Sequence, residues 1–276
     1  MCVGLANEVD ARALCEVAVR IAREAAELAR TVRDKAVADG SVDTKSTETD
    51  VVTAGDRAVE RLVRERLAEL RPGESVLGEE EGGEGALDGL RWVVDPIDGT
   101  VNYLYGFPWY SVSLAAQVDG RSVAGAVVEP ASGRVWSAAA GHGAYLDGRR
   151  LRVSAAGRLD LALIGTGFSY SVQRRSAQAA VVSRLMSQVR DIRRAGVASL
   201  DLCAVAAGWL DGVFEVGLNR WDWAAGALIA AEAGAELRLP APGSADGLGD
   251  EMLVCAAPGI AKELTEALLR ADAGSV

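Results

Sequence analysis

The chain has little with which to perform imidazole or thiol chemistry. It holds one histidine and four cysteines in 276 residues. His142 sits in "GHGAY", flanked by glycines, which reads as a turn and a structural role. A zinc site or a Ser-His-Asp triad would have to rest on that residue alone. Cys2, Cys15, Cys203 and Cys255 show no CxxC spacing and lie in apolar or helical contexts, which fits reduced thiols. No segment approaches the apolar length that crosses a bilayer, so no membrane partner is expected. Positive charge is also in deficit: 29 Lys and Arg against 39 Asp and Glu leave a net charge of −10. That balance argues against direct nucleic-acid binding and would repel an anionic small molecule, unless bound metal ions made the pocket locally positive. The first thirty residues mix Asp, Glu and Arg with Ala and Leu, as an amphipathic helix does and a signal peptide does not, so a cytoplasmic location is expected.

What is present is apolar and strongly patterned. Hydrophobic residues make up 50% of the chain, enough for one large domain or two coupled subdomains and incompatible with disorder. Leu14, Val17, Ala18, Ile21, Ala25, Leu28, Ala29 and Val32 recur at helical spacing and predict a long first helix. "DGSVDTKSTETD" breaks it and reads as a loop; Val59, Leu62, Val63, Leu67 and Leu70 mark a second helix that "RPG" ends. From Trp92 the runs "RWVVD", "YSVSLAAQVDG", "SVAGAVVEP" and "RVWSAAA", bounded by turn residues, read as an antiparallel meander closed by a hairpin at "LDGRRLRVS". After Asp160 strands and helices alternate: "LALIGTG", a helix around Ala177–Gln188, "DIRRA", Leu200–Trp209, "GVFEV", Trp223–Ala233, "EMLVCA" and Ile260–Arg270. The fold class is therefore α+β, an antiparallel meander half followed by an α/β half. Residues 1–155 read as an N-terminal α+β subdomain and residues 156–276 as a C-terminal α/β subdomain, joined as one compact unit.

The densest chemistry lies in "RWVVDPIDGTVNY", where Asp95 and Asp98 follow an apolar run three residues apart. A strand would deliver Asp95 at its end, Pro96 would fix a turn, and Gly99 would let the backbone approach a ligand closely. Asp98 and Thr100 would then start a short helix whose free N–H groups suit an anion. Two carboxylates there could hold Mg²⁺ against a phosphate, since that ion takes oxygen ligands, a few of them carboxylates. An Asp N-cap in a tight turn fits the same segment, and taken alone it leaves both readings open. Glu79 in "LGEEEGG" also ends an apolar strand, and Asp222 in "NRWDWAAG" starts a helix. Read singly, Glu80, Glu81 and Glu84 are solvated charges, Asp222 is an N-cap, Asp56 belongs to the capping box Thr53-x-x-Asp56, and Lys45 is a surface lysine.

Taken together, "GEE" at Glu79, "WVVDPIDGTVNY", "WDWAAGALIAAEAGA" and "KSTETDVVTAGD" resemble, in order and spacing, the signatures of the inositol monophosphatase family, including its bacterial SuhB-type members. The resemblance runs from the first helix to the last. It implies the layered αβαβα sugar-phosphatase fold and a Mg²⁺-dependent phosphomonoesterase that hydrolyses inositol monophosphate by attack of a metal-activated water. It also implies two or three Mg²⁺ per site, Mn²⁺ as a substitute, inhibition by Li⁺, and a homodimer. By motif, Glu79, Asp95 and the carbonyl of Ile97 resemble ligands of a first metal, and Asp95, Asp98 and Asp222 ligands of a second, with Glu79 helping to hold a third. Asp98, Gly99, Thr100 and Asp222 would meet the substrate. Thr100 and Asp56, with Glu79, resemble the group that orients and deprotonates the attacking water. Glu215 and the backbone near Gly196 and Val197 would hold substrate hydroxyls, and Lys45 would lie on a loop near the phosphate. Val197-Ala198-Ser199 departs from the Gly-Ser/Thr-Ala-Ala run of many relatives, which alters the rim of the pocket, whereas Asn102 and the aromatic after it favour the inositol branch. Related sugar phosphatases that take fructose 1,6-bisphosphate share the core motifs and are the alternative. A transcription-machinery partner, which the SuhB-type resemblance allows, is supported by no residue here.

Overall fold

The computed structural model describes residues 10–38, 42–44, 51–83 and 89–276, with backbone only for 34–38, 42–44 and 51–53. Helix α1 (Ala11–Ala38) buries Leu14, Ala18, Ile21, Ala22, Ala25, Ala26 and Ala29, one face at three- and four-residue spacing. The small alanines let it lie close along the sheet beneath. The stretch read as a loop contains a strand: β1 (Val42–Thr44) pairs antiparallel with β2 (Val51–Thr53), which follows that stretch. Helix α2 (Ala54–Leu70) follows.

Seven strands form the first sheet in chain order: β3 (Ser75–Gly78), β4 (Leu90–Asp98), β5 (Ser111–Val118), β6 (Arg121–Val128), β7 (Val135–Ala139), β8 (Gly143–Leu146) and β9 (Arg149–Arg150). Only the β3–β4 pair is parallel; the others form the expected antiparallel meander. The β8–β9 hairpin turns on Asp147-Gly148, both at positive φ (49° and 78°), as a two-residue loop of matching twist requires. Between β4 and β5 lies the short helix α3 (Thr100–Tyr105).

The second sheet has the order β11-β10-β12-β14-β13. Its members are β10 (Leu163–Thr166), β11 (Asp191–Arg193), β12 (Gly212–Val216), β13 (Glu236–Arg238) and β14 (Met252–Ala256). β11, β10 and β12 run parallel, while β14 is antiparallel to both its neighbours. The short edge strand β13 was not expected, because "ELR" offers too little apolar pattern to mark it. Helix α4 (Val172–Leu185) starts earlier than its apolar residues suggest, since Ser171 caps it by accepting a hydrogen bond from the Arg174 amide. Helices α5 (Ala198–Ala206), α6 (Arg220–Glu232) and α7 (Pro258–Arg270) complete the alternation.

Three apolar cores separate five layers. The first joins α1 and α2 to one face of the seven-stranded sheet through residues such as Ile21, Val63, Trp92 and Leu114. The second fills the space between the two sheets around α5 and α6, with Trp136, Leu202, Trp223 and Leu253. The third packs α4 and α7 on the outer face of the second sheet. This is the αβαβα layering that the family resemblance implies. Trp92 and Trp136 are fully buried without leaving a polar atom unpaired: their indole N–H groups donate to Glu74 at 2.7 Å and Glu129 at 2.8 Å. Among the described residues no helix is long and apolar enough to cross a membrane.

Candidate active site

The segment that holds Asp95 and Asp98 is not the tight turn its composition suggests. Strand β4 continues through Pro96 to Asp98, and Pro96 is accommodated where the ladder to β5 slips. Asp95 pairs with Ser113 and Asp98 with Ser111, so three steps on β4 oppose two on β5. Side chains on a regular strand alternate faces, and residues three apart would point to opposite sides. The bulge inserts one residue and turns both aspartates to the same side.

Each carboxylate is anchored through one oxygen by a backbone amide. Asp95 Oδ1 accepts from the Ile97 N–H at 3.1 Å. Asp98 Oδ2 accepts from the Ser199 N–H at 2.7 Å, a bond that joins β4 to the start of α5 across 101 residues of chain. Asp222 Oδ2 accepts from the Asn219 N–H at 2.6 Å, while the Asn219 side chain accepts from the Asp222 amide, a reciprocal capping box at the start of α6. The N-cap of α6 is therefore Asn219 and not Asp222, which is the third-residue partner of the capping box and part of the cavity wall. Glu79 arrives from the end of β3 and shares a hydrogen bond with Asp95.

Glu79, Asp95, Ile97, Asp98, Gly99, Thr100, Gly196, Glu215 and Asp222 all line one cavity of about 390 Å³. Asp56 and Val197 stand behind its wall. Asp56 has no exposed surface and Val197 almost none. The Val197 side chain packs against Gly99, where φ is 90° and a Cβ would lie 2.7 Å from Val197 Cγ2. Thr100 Oγ1 lies 3.1 Å from Asp56 Oδ1 and 3.0 Å from the Ile97 carbonyl, and its single proton can serve only one of them at a time. Lys45 and Glu84 fall outside the described residues, and so does the side chain of Thr53. Asn102 braces the floor by donating to the carbonyls of Trp109 and Ala195, both at 2.9 Å.

Burial and mutual repulsion oppose ionisation throughout the cluster. Asp95 is held well above the usual carboxylate range by burial, then by the charges of Glu79, Asp98 and Asp222. Asp222 is raised for the same reasons, with Asp98 the largest charge acting on it. Burial raises Asp98 to about 6 against the opposing hydrogen bonds from Ser199. Glu215 is raised to about 7 by burial and by Asp98, with Arg194 pulling the other way. Such a cluster is costly as bare anions, and a hard divalent cation removes that cost. The donors are all oxygens, which fits Mg²⁺ and not zinc. Among the described residues no three His, Cys, Asp or Glu side chains already converge as a finished cage; the acids ring the cavity.

The cavity also recruits residues that motif reading missed: Arg194, Trp221, Asn219 and the run Phe168–Ser171. Among the described residues the Trp221 indole N–H has no acceptor, so a donor stands unused in the wall. Except for Trp221, which lies in the first turn of α6, these residues follow the carboxyl ends of β10, β11 and β12. The crevice outside those ends is where open α/β sheets bind ligands, and that rule would have flagged them.

Comparison with known proteins gives the family. Residues 10–273 match the model of the inositol monophosphatase family. A protein named inositol-1-monophosphatase from Mycobacterium leprae is 53% identical over 270 residues, 92% of each chain. The Nus factor SuhB of Escherichia coli is 37% identical over 80% of this chain and 83% of its own. The solved structure of Mycobacterium tuberculosis SuhB superposes with a TM-score of 0.83 at 46% identity, covering 97% of this chain and all of that one. The chain is a phosphatase and belongs to the inositol monophosphatase family.

Proposed function

We propose that the protein is a Mg²⁺-dependent phosphomonoesterase that releases phosphate from inositol monophosphate. The observation carrying this reading is the gathering of Glu79, Asp95, Asp98 and Asp222, from three separate stretches of chain, around a cavity that also exposes Gly99 and Thr100. Glu79, Asp95, Asp98, Asp222 and the Ile97 carbonyl would hold two or three ions. Bound Mg²⁺ would neutralise phosphate charge and acidify water, the chemistry such sites use for in-line displacement.

The protein's own groups do the rest. The amides of Gly99 and Thr100 hold the phosphate oxygens at the start of α3. Thr100 Oγ1 accepts the proton of the attacking water and passes its own to Asp56 Oδ1, 3.1 Å away. Glu79, which lines the same cavity, orients that water. As the new O–P bond forms, the bond to the inositol oxygen breaks and that oxygen takes a proton from solvent. Glu215 accepts hydrogen bonds from the ring hydroxyls, and the backbone at Gly196 closes the rim. Asp56 has no exposed surface, so bulk water does not compete with Thr100 for that contact.

Residues 1–155 and 156–276 serve as two subdomains of one unit, the second supplying Asp222 and Glu215. The same family reading assigns a homodimer, a cytoplasmic location and inhibition by Li⁺. A second reading, a broader sugar phosphatase, is favoured by Arg194, a guanidinium on the cavity wall that suits the second phosphate of fructose 1,6-bisphosphate. The deciding experiment measures phosphate release from inositol 1-phosphate and from fructose 1,6-bisphosphate with Mg²⁺ and with excess chelator. Turnover of the inositol ester that stops in chelator and returns with Mg²⁺ supports the first reading. Full activity in chelator would sink the metal chemistry.

A further inference from the structure

Glu60 lies in the middle of α2, outside the cavity, with no exposed surface. A wholly buried carboxylate beside Glu79, Glu80 and Glu81 needs a reason, because it adds negative charge next to an already acidic cluster. Its contacts supply one. Glu60 Oε2 accepts from the Glu80 amide at 2.8 Å, and Oε1 accepts from the Glu81 amide at 3.1 Å. Arg64, one turn further along α2, places Nε 2.9 Å and Nη2 2.8 Å from Oε1 and so balances the charge. The same guanidinium donates to the Gly82 carbonyl at 2.5 Å and the Val76 carbonyl at 3.4 Å.

The segment held in this way is a turn closed by the Gly78 amide on the Gly82 carbonyl at 3.0 Å, with Glu79 at its first inner position. The Glu60 carboxylate fills the hollow of that turn. It sits so close that a Cβ on Gly78 would lie 2.1 Å from Oε1, so any larger residue there would push the carboxylate out of the hollow. A carboxylate is the one side chain of this size that accepts on both oxygens; glutamine would turn an NH₂ toward one of the two amides.

From these contacts we propose that Glu60, locked by Arg64, is a positioning residue that sets the place of Glu79 at the cavity. The proposal rests on Glu79 being a metal ligand, as read above. Groups that orient a metal ligand are worth roughly 10- to 100-fold in metal affinity or activity when removed. Glu60 would act through the backbone of the two residues after the ligand and not through its side chain.

The test compares Glu60→Gln with Glu79→Gln in the full chain, with folding checked by circular dichroism. Three measurements are needed: Mg²⁺ affinity of the metal-free protein by calorimetry, amide hydrogen exchange at Glu80 and Glu81, and turnover across Mg²⁺ concentrations. Glu60→Gln is expected to speed exchange at those amides and weaken Mg²⁺ binding roughly 10-fold or more. Added Mg²⁺ should restore its turnover with KM for substrate unchanged, which a general loss of packing would not do. If Glu79→Gln weakens Mg²⁺ binding while folded Glu60→Gln binds it as the wild type does, the positioning role is overturned. If Glu79→Gln itself binds Mg²⁺ normally, the ligand reading has failed, and unchanged exchange at Glu80 and Glu81 in Glu60→Gln would refute the clamp independently. Should Glu60→Gln not fold, Gly78→Ala displaces the carboxylate without deleting it. The same weakened binding and faster exchange are expected, and wild-type values for both would overturn the proposal.

Discussion

Asp56 and Glu60 stand one helical turn apart on α2, both fully buried, and each serves a different strand end. Asp56 faces Thr100 after β4, and Glu60 holds the turn after β3. An i, i+4 pair on one helix shares a face and a fixed spacing of about 6 Å along the axis. A single rigid element therefore indexes the proposed proton acceptor and a proposed metal ligand to each other, which suits chemistry that tolerates little misplacement.

Asp95 is the carboxylate on which Glu79, Asp98 and Asp222 all act. Asp95→Asn removes a charge the fold resists while keeping the shape and an acceptor for the Ile97 amide. The variant should fold, melt no lower than the wild type in chelator, and lose turnover by several orders of magnitude at any Mg²⁺ concentration. Calorimetry and a phosphate assay check this together; near-normal turnover would refute its role.

Thr100 and Asp56 make a separable claim. Thr100→Val should lower kcat by roughly 10²- to 10⁴-fold, the usual range for losing a general base relay, with little change in KM. Thr100→Ser keeps the hydroxyl and should retain most of the rate. An equally damaged serine variant would show that shape, not proton transfer, was lost.

Glu79, Asp95, Asp98 and Asp222 were legible because each ends an apolar strand or starts a helix in a motif long enough to be specific, whereas Glu215 came only with the family resemblance. The bulge at Asp95–Asp98 was not, since alternation read from one strand cannot show that its partner is a residue shorter. Arg194 was invisible for a different reason: it reaches the cavity only through the order of strands in the second sheet. Glu60 looked like any acid on an amphipathic helix, because its contacts depend on where the β3 turn folds back. The change of rhythm near Asp160, from meander to alternating strand and helix, marked the two halves, whereas their stacking into five layers came from the family resemblance.

Glu215 gives a pH signature. Its folded value of about 7 lies above the usual carboxylate range, so between roughly pH 4.5 and 7 the folded state binds more protons than the unfolded one. The stability this provides is complete below that window and is lost as pH rises through 7. In chelator the unfolding free energy, and with it the melting temperature, should therefore fall from pH 5 to pH 8, and Glu215→Gln should reduce the free-energy fall by an amount on the order of 1 kcal/mol. KM for the substrate should improve over the same range as the acceptor ionises. A Glu215→Gln variant with an unaltered pH profile of melting would contradict the shift.

Gly99 carries two separate constraints, and substitutions can tell them apart. Its φ of 90° is unfavourable for any residue with a Cβ, and that atom would also meet Val197 Cγ2 at 2.7 Å. Gly99→Ala should cost about 1–3 kcal/mol from backbone strain alone, with the clash in addition. Trimming the neighbour in Gly99→Ala/Val197→Ala removes the clash and leaves the strain, beside the separate cavity cost of the Val197→Ala single variant. The double mutant should then be more stable than the two single losses added together, a coupling that denaturant unfolding can measure. Strict additivity would mean that Val197 does not press on Gly99. In that case the first turn of α3 would be set by the left-handed backbone alone, without support from the residue that caps α5.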